Sequence, residues 1–306
     1  MSAATAVTGD ERLVRRASSS ASAPYVVDIS ADDAGWGYCG LRVLTLTPEA
    51  PIRLDTRDSE TLVVPLSGSV AVACDDQTLE LAGRSSVFAG PTDFAYLPTG
   101  SKATLVSATG GRFALPSART DRRLPFRYGP ADGVAVELRG AGQCSRQVNN
   151  FCTPETFDAD ALIACEVLTP AGNWSSYPPH KHDEARALDG VAVEAELEEI
   201  YYFEVAGEGG VAYHRVYGTA DRPVDVLAEV RSGDVVLVPH GWHGPSMAAP
   251  GYDLYYLNVM AGPGDERAWL ICDDPTHSWV RDSWVGQAVD PRLPFSRTAP
   301  ADGSAS

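Results

Sequence analysis

Short runs of β-branched and aromatic residues, broken every few positions by glycine, proline or aspartate, constrain this chain more than any other feature. Leu41–Leu46, Thr61–Leu66, Ser69–Ala73, Phe94–Leu97, Ala103–Val106, Ile200–Val205, Val211–Val216, Val235–Val238 and Tyr252–Val259 all have this character. Such side chains fit a pleated, half-buried surface, and the breakers end each run before it can grow into a helix. The expectation is an all-β sandwich or barrel. Only Asp158–Cys165 reads as a short helical or irregular bridge.

The pattern occurs twice. Glu60 is followed by TLVVPLS and Gly68, and Glu199 by IYYFEVA and Gly207 at the same spacing. Downstream, Asp93-Phe-Ala-Tyr-Leu-Pro98-Thr-Gly100 matches Asp234-Val-Val-Leu-Val-Pro239-His-Gly241, at intervals of 33 and 35 residues from the glutamates. Two matches in the same order indicate a duplicated unit. The expected organisation is two stacked barrels divided near RTDRRLPFRYGP: residues 23–130 form the first, without metal, and 131–290 the second. Residues 1–22 and 291–306 are expected to be mobile ends.

A length of 306 residues suits two domains, and 44% hydrophobic against 21% charged residues suits packed cores. The net charge of −17 argues against nucleic acid or an anionic membrane as partner, since both need a basic surface. It leaves room for a small anionic substrate held by one or two local cations. No run of 18 apolar residues exists, and the N-terminus lacks a signal-peptide core. The six cysteines form no Cys-x-x-Cys pair and read as buried thiols of a cytoplasmic protein.

All six histidines lie in the second half. His180 and His182 stand in Tyr-Pro-Pro-His-Lys-His, and in a strand positions i and i+2 share a face, so both imidazoles point into one interior while Lys181 points away. Two carboxylates compete to join them. With Glu199 inward, Tyr201, Phe203 and Val205 share its face, as a barrel interior requires. With Glu198 inward, Glu204 would also be buried without an evident partner. Glu199 is therefore preferred. His243, after the Pro239–Gly241 turn, can return to the interior, whereas His240 lies in the turn. Three imidazoles and a carboxylate suit one borderline divalent ion, with zinc first and manganese or iron as alternatives.

These residues resemble the two cupin motifs, although one residue rather than two separates Gly241 from His243. YPPHKHDE, LEEIYYFEV, VPHGWHGPSMAAPGYDLYYLNVMAG and CSRQVNN further resemble the 5-deoxy-glucuronate isomerase family of bacterial myo-inositol catabolism, over about residues 22–290. The more distant 5-keto-4-deoxyuronate isomerases share the metal pattern. The resemblance implies a bicupin of two jelly-roll barrels that converts 5-deoxy-D-glucuronate to 5-dehydro-2-deoxy-D-gluconate. It also implies that the stretch after Asp183, EARALDGVAVEAEL, is an insertion, expected as a loop at the mouth.

An aldose–ketose isomerase moves a proton or a hydride between adjacent carbons. Tyr201 and Glu198 are candidate catalytic groups, with Tyr177 and His240 behind them. Arg146 is the first choice for the substrate carboxylate, since guanidinium grips carboxylate bidentately. Tyr177 and Lys181 are further substrate-binding candidates, ahead of Arg215. A metal-dependent dioxygenase is the main alternative on the same ligand set, and a non-catalytic sugar-binding cupin is another. A homo-oligomer is compatible with the sequence.

Overall fold

The computed structural model describes residues 7–17, 23–264 and 266–295. Strands dominate, and the α-helix among the described residues is a single turn, Ala31–Ala34.

The first barrel is one nine-stranded sheet rolled on itself. Its spine is Ser59–Cys74, which pairs with Gly111–Arg119 and Phe94–Leu97 over its first half and with Gln77–Arg84 and Lys102–Val106 over its second. The sequence suggests two strands here. They are one strand that bends at Gly68 (φ 86°), where the ladder slips. A Cβ on Gly68 would lie 2.4 Å from the Gly110 carbonyl oxygen, so the bend requires glycine.

The second barrel has two sheets. One runs, in spatial order, Ala135–Arg139, Arg146–Cys152, Ile163–Thr169, Leu254–Ala261, Glu198–Val205, Val235–Val238 and Val14–Arg15. The other runs Val7–Gly9, Asp225–Val230, Ala212–Tyr217, Trp242–Ala248, His180–Lys181 and Cys272–Asp273. The central strands of the first of these sheets are buried on both faces. Tyr201, Phe203 and Val205 pack into the barrel core with Val216 and Val226. Ile200 and Tyr202, on the alternate face, pack with Leu41, Leu62 and Tyr96 of the first barrel. Double burial explains why Glu198–Val205 reads as a nearly continuous apolar run.

Three expectations need correction. Residues 7–17 are not a loose end: Val7–Gly9 extends one sheet of the second barrel against Val226–Ala228, and Val14–Arg15 extends the other against Val235–Val236. Residues 1–6 and 18–22 lie outside the described residues. At the other end, Leu293 is buried, the Phe295 N–H donates to Gln147 Oε1 at 2.7 Å, and its ring meets Phe88. Those two apolar side chains hold residues 291–295 down; 296–306 lie outside the described residues. Finally, Ile163–Cys165 opens a central strand, because its side chains alternate between the two cores.

The seam between barrels is tied by charge as well as apolar packing. The fully buried Glu60 carboxylate accepts the N–H groups of Asp160, Ala161 and Leu162 at 2.9, 2.7 and 2.7 Å, and the Tyr96 hydroxyl at 2.6 Å. In return, Glu198 of the second barrel accepts those of Gly37, Tyr38 and Cys39 at 2.7, 2.9 and 3.1 Å. Arg84 and Glu166 form a buried ion pair across the same seam, with Tyr255 and Asn149 donating to Glu166. Ladder register makes Glu60 the counterpart of Glu198, not of Glu199. Thr61 pairs with Leu97 before Pro98, as Glu199 pairs with Val238 before Pro239. Spacing to a glycine at the far end of the strand does not fix register, and the sequence match was off by one.

Candidate active site

Four side chains converge inside the second barrel. His180 sits directly across the ladder from His243, and His182 follows two positions on, its carbonyl held by the Leu197 N–H at 2.8 Å. Glu199, 2% exposed, enters from a doubly buried strand. The imidazole rings of His180 and His182 lie 4.4 and 4.8 Å from that of His243, and their ligand nitrogens all fall within 4.8 Å of one another. Glu199 Oε2 is 3.1 Å from Nε2 of both His182 and His243.

The outer ring nitrogens decide what this cluster wants. His182 Nδ1 faces the Leu197 carbonyl at 3.3 Å, and His243 Nδ1 faces the Gly241 carbonyl at 3.1 Å. A carbonyl only accepts, so each Nδ1 carries the proton and each neutral ring turns its Nε2 lone pair inward. His243 Nε2 has no hydrogen-bond partner. Imidazole lone pairs and a carboxylate oxygen thus meet in a buried space, which repels unless a cation lies between them. A divalent ion fits this donor set, and His180, His182, His243 and Glu199 would hold it. Without one, protons stand in. Burial opposes charge on His182, but the Glu199 hydrogen bond outweighs it and draws the imidazole pKa up. Burial would raise the Glu199 carboxyl, yet His243 and His182 hold it well below the usual range. His180 is pushed well down, by burial and then by its two neighbours.

Beside the cluster, Tyr201 donates to or accepts from Ser176 Oγ at 2.9 Å, and its ring lies 6.0 Å from that of His243. Burial, then the Glu199 charge, raises its hydroxyl pKa far above the ordinary value, so Tyr201 keeps its proton. Asn258, directly across the ladder from Tyr201, has a buried amide nitrogen without an acceptor. His214, fully buried, bonds Ser246 Oγ through Nδ1 at 2.8 Å and leaves Nε2 unpartnered under the Tyr201 ring. Neither was singled out from sequence. Asn258 carried a signal, as a lone amide within the apolar run Leu254–Ala261.

Burial and then His243 push the His214 pKa down to about 3. An unfolded histidine takes its proton near pH 6.5, so the unfolded state binds the extra proton between there and about 3. Stability is therefore full above pH 6.5 and is lost as pH falls toward 3. In chelator-treated protein, urea midpoints should drop between pH 6.5 and 4.5, and in His214→Asn the decline should be shallower by up to about 1.4 kcal/mol per pH unit. Equal slopes would show that His214 is not held neutral.

The remaining sequence candidates separate. Glu198 faces the seam with both oxygens occupied, on the opposite side of the strand from Glu199, so it is withdrawn as a catalytic group. Lys181 points away from the cluster, as alternation requires, and binds Asp183 and Glu194 at 2.5 and 2.7 Å over the Trp242 ring, so it too is withdrawn from substrate binding. The Tyr177 ring packs on Trp174 in a recess shared with Arg215 and Met247, on the outer side of the sheet. Only its carbonyl reaches inward, 3.5 Å from Arg146 Nη1. Arg215 binds Asp225 in that outer layer, and His240 stays in its turn. Arg146 does face the interior: it pairs with Arg139 across the ladder, two positions from the core residue Val148. The stretch after Asp183 is a hairpin, Asp183–Leu188 with Val191–Glu196, closed by Asp189 and Gly190 at positive φ, rather than a loop.

A pair of stacked jelly rolls, one bearing a three-histidine, one-glutamate pocket, defines a bicupin protein of the metal-site type. The chain belongs to the KduI/IolB family, whose sequence profile matches residues 13–280. It is 41% identical to the 5-deoxy-glucuronate isomerase of Geobacillus thermodenitrificans over 260 residues, which cover 84% of this chain and 92% of that one. The Halalkalibacterium halodurans 5-deoxy-glucuronate isomerase is 38% identical over 271 residues, 88% of this chain and 97% of its own. The crystal structure of an IolB-like protein from Salmonella typhimurium superposes with a TM-score of 0.80 at 36% identity, covering 88% and 98% of the two chains. An oxalate decarboxylase from Lactobacillus farciminis, 12% identical at a TM-score of 0.56 over 80% and 82% of the chains, shares the fold alone. No helix among the described residues is long and apolar enough to cross a membrane.

Proposed function

We propose that this chain is an aldose–ketose isomerase that converts 5-deoxy-D-glucuronate to 5-dehydro-2-deoxy-D-gluconate with one divalent ion, zinc before manganese or iron. The observation that carries the reading is the inward turn of imidazole lone pairs onto Glu199, in a chain similar along most of its length to isomerases of that substrate. When bound, the ion supplies Lewis acidity to the carbonyl and the neighbouring hydroxyl, where negative charge develops.

The chain's own groups do the rest. Glu199 and the three histidines fix the pocket floor. The Tyr201 hydroxyl, protonated and backed by Ser176, is assigned the relay of the proton between adjacent carbons. The Asn258 amide has a free donor for a substrate hydroxyl. Arg146, facing the same interior, takes the substrate carboxylate. Atoms balance without a co-reactant: one C–H is broken, one is formed on the neighbouring carbon, and the hydroxyl proton moves to the former carbonyl oxygen.

Proton NMR with 5-deoxy-glucuronate in D₂O tests the reading. Conversion to the 2-deoxy-5-keto acid should stop on chelation and return with added metal, and deuterium in the product would identify proton transfer. Metal-loaded, folded protein that leaves the substrate untouched would remove the assignment, and oxygen uptake with a diol or enol acid would replace it with a dioxygenase.

A further inference from the structure

Arg146 is 5% exposed, yet its guanidinium meets no carboxylate among the described residues. Its contacts are the Cys144 carbonyl at 3.0 Å, the Tyr177 carbonyl at 3.5 Å and the face of the Trp284 ring at 5.4 Å. Two more guanidiniums are close enough to act on its charge, Arg139 and Arg281. Arg139 is neutralised by Glu137 at 2.7 Å and Arg281 by Asp273 at 2.7 Å, so the group carries a surplus of one positive charge. In a chain of net charge −17, a buried unpaired cation demands a partner.

Two indoles adjoin these guanidiniums. Arg146 and Arg281 both lie 5.4 Å from the Trp284 ring, and Arg139 lies 5.7 Å from that of Trp269. The N–H of each indole is buried without an acceptor. Indole is a donor only: the Trp284 donor adjoins the unpaired cation itself, the Trp269 donor adjoins Arg139, the ladder partner of Arg146, and what the three lack is an acceptor carrying a single negative charge. Both tryptophans come from the segment that follows the last long strand of the barrel, which also places Cys272–Asp273 beside His180.

We propose that Trp269 and Trp284 complete a monocarboxylate subsite around Arg146, so that the segment 266–290 supplies the specificity for a sugar acid over a neutral sugar. This deepens the isomerase reading and rests on it for the identity of the substrate, not for the class of ligand. A guanidinium braced against an indole face grips a planar carboxylate in a fixed orientation, and each indole N–H adds a charge-assisted hydrogen bond.

Calorimetric binding of D-glucuronate and of neutral D-glucose to the metal-loaded protein provides a readout free of turnover. Trp284→Phe and Trp269→Phe keep a ring face for the guanidinium and remove one donor each. Each should weaken D-glucuronate binding about tenfold or more, leave the weak response to D-glucose unchanged, and raise KM with little change in kcat. Urea midpoints near wild type confirm that the fold is intact. Arg146→Met should abolish discrimination between the two sugars. Unchanged D-glucuronate affinity in both tryptophan variants, with Arg146→Met impaired, would overturn the part given to the segment. Unchanged affinity in all three would overturn the subsite. If the variants weaken D-glucuronate binding while 5-deoxy-glucuronate is never turned over, the subsite stands and the isomerase reading falls.

Discussion

Glu199→Gln should lose both its bound metal and its turnover. The substitution keeps shape and volume but removes the only negative charge among the four converging groups, leaving three neutral imidazoles that hold a divalent ion weakly. The Lewis acidity forfeited is about 4 kcal/mol of barrier, so kcat should fall about a thousandfold. Elemental analysis after gel filtration should find well under one equivalent of metal. Its neighbour supplies the control. Glu198→Gln alters a carboxylate one position away that faces the seam, and should retain metal while losing some stability. A Glu199→Gln protein with a full equivalent of metal and unimpaired kcat would dismiss Glu199 as a ligand.

The second large effect concerns stability. Arg84→Met should lower the unfolding free energy by about 3–5 kcal/mol, because it leaves the Glu166 carboxylate buried with no countercharge. Tyr255 and Asn149 donate to that carboxylate but cannot neutralise it. Adding Glu166→Gln to Arg84→Met should restore much of the loss, since an amide needs no countercharge. Urea unfolding followed by tryptophan fluorescence and far-ultraviolet circular dichroism measures all three proteins. A loss under about 1 kcal/mol in Arg84→Met would mean that water or a rearranged seam solvates Glu166.

Local pattern carried much of the architecture. Phe94–Leu97 and Val235–Val238 have the bounds that alternation and breakers suggest, whereas the stretch expected as a loop at the mouth is a hairpin, although Asp189–Gly190 is a hairpin-turn dipeptide. The choice of Glu199 over Glu198 followed from the cost of burying Glu204, and the structure puts the two glutamates on opposite faces as that argument requires. Glu204 is nevertheless buried. It lies on the seam with Arg112 at 2.6 Å, a partner 92 residues away that no local pattern discloses. The same limit explains Tyr177 and Lys181. Alternation says that a side chain leaves the interior, but not that Asp183 and Glu194 wait on the other side. Trp269 and Trp284 fall in a stretch without periodicity, and only the folded chain sets them beside guanidiniums.

The exchange of glutamates at the seam has a meaning beyond cohesion. Each barrel offers one carboxylate to three successive N–H groups of the other, and each set of three leads into an equivalent strand, Cys39–Leu46 or Ile163–Thr169. Reciprocity of that kind is the signature of an isologous contact, in which one surface meets its own copy across a twofold axis. The chain thus has the form of a homodimer of single barrels fused end to end. Only one half of that form carries histidines: in the first barrel Thr61 stands at the register position of Glu199, while Glu60 keeps the seam role that Glu198 plays in the second.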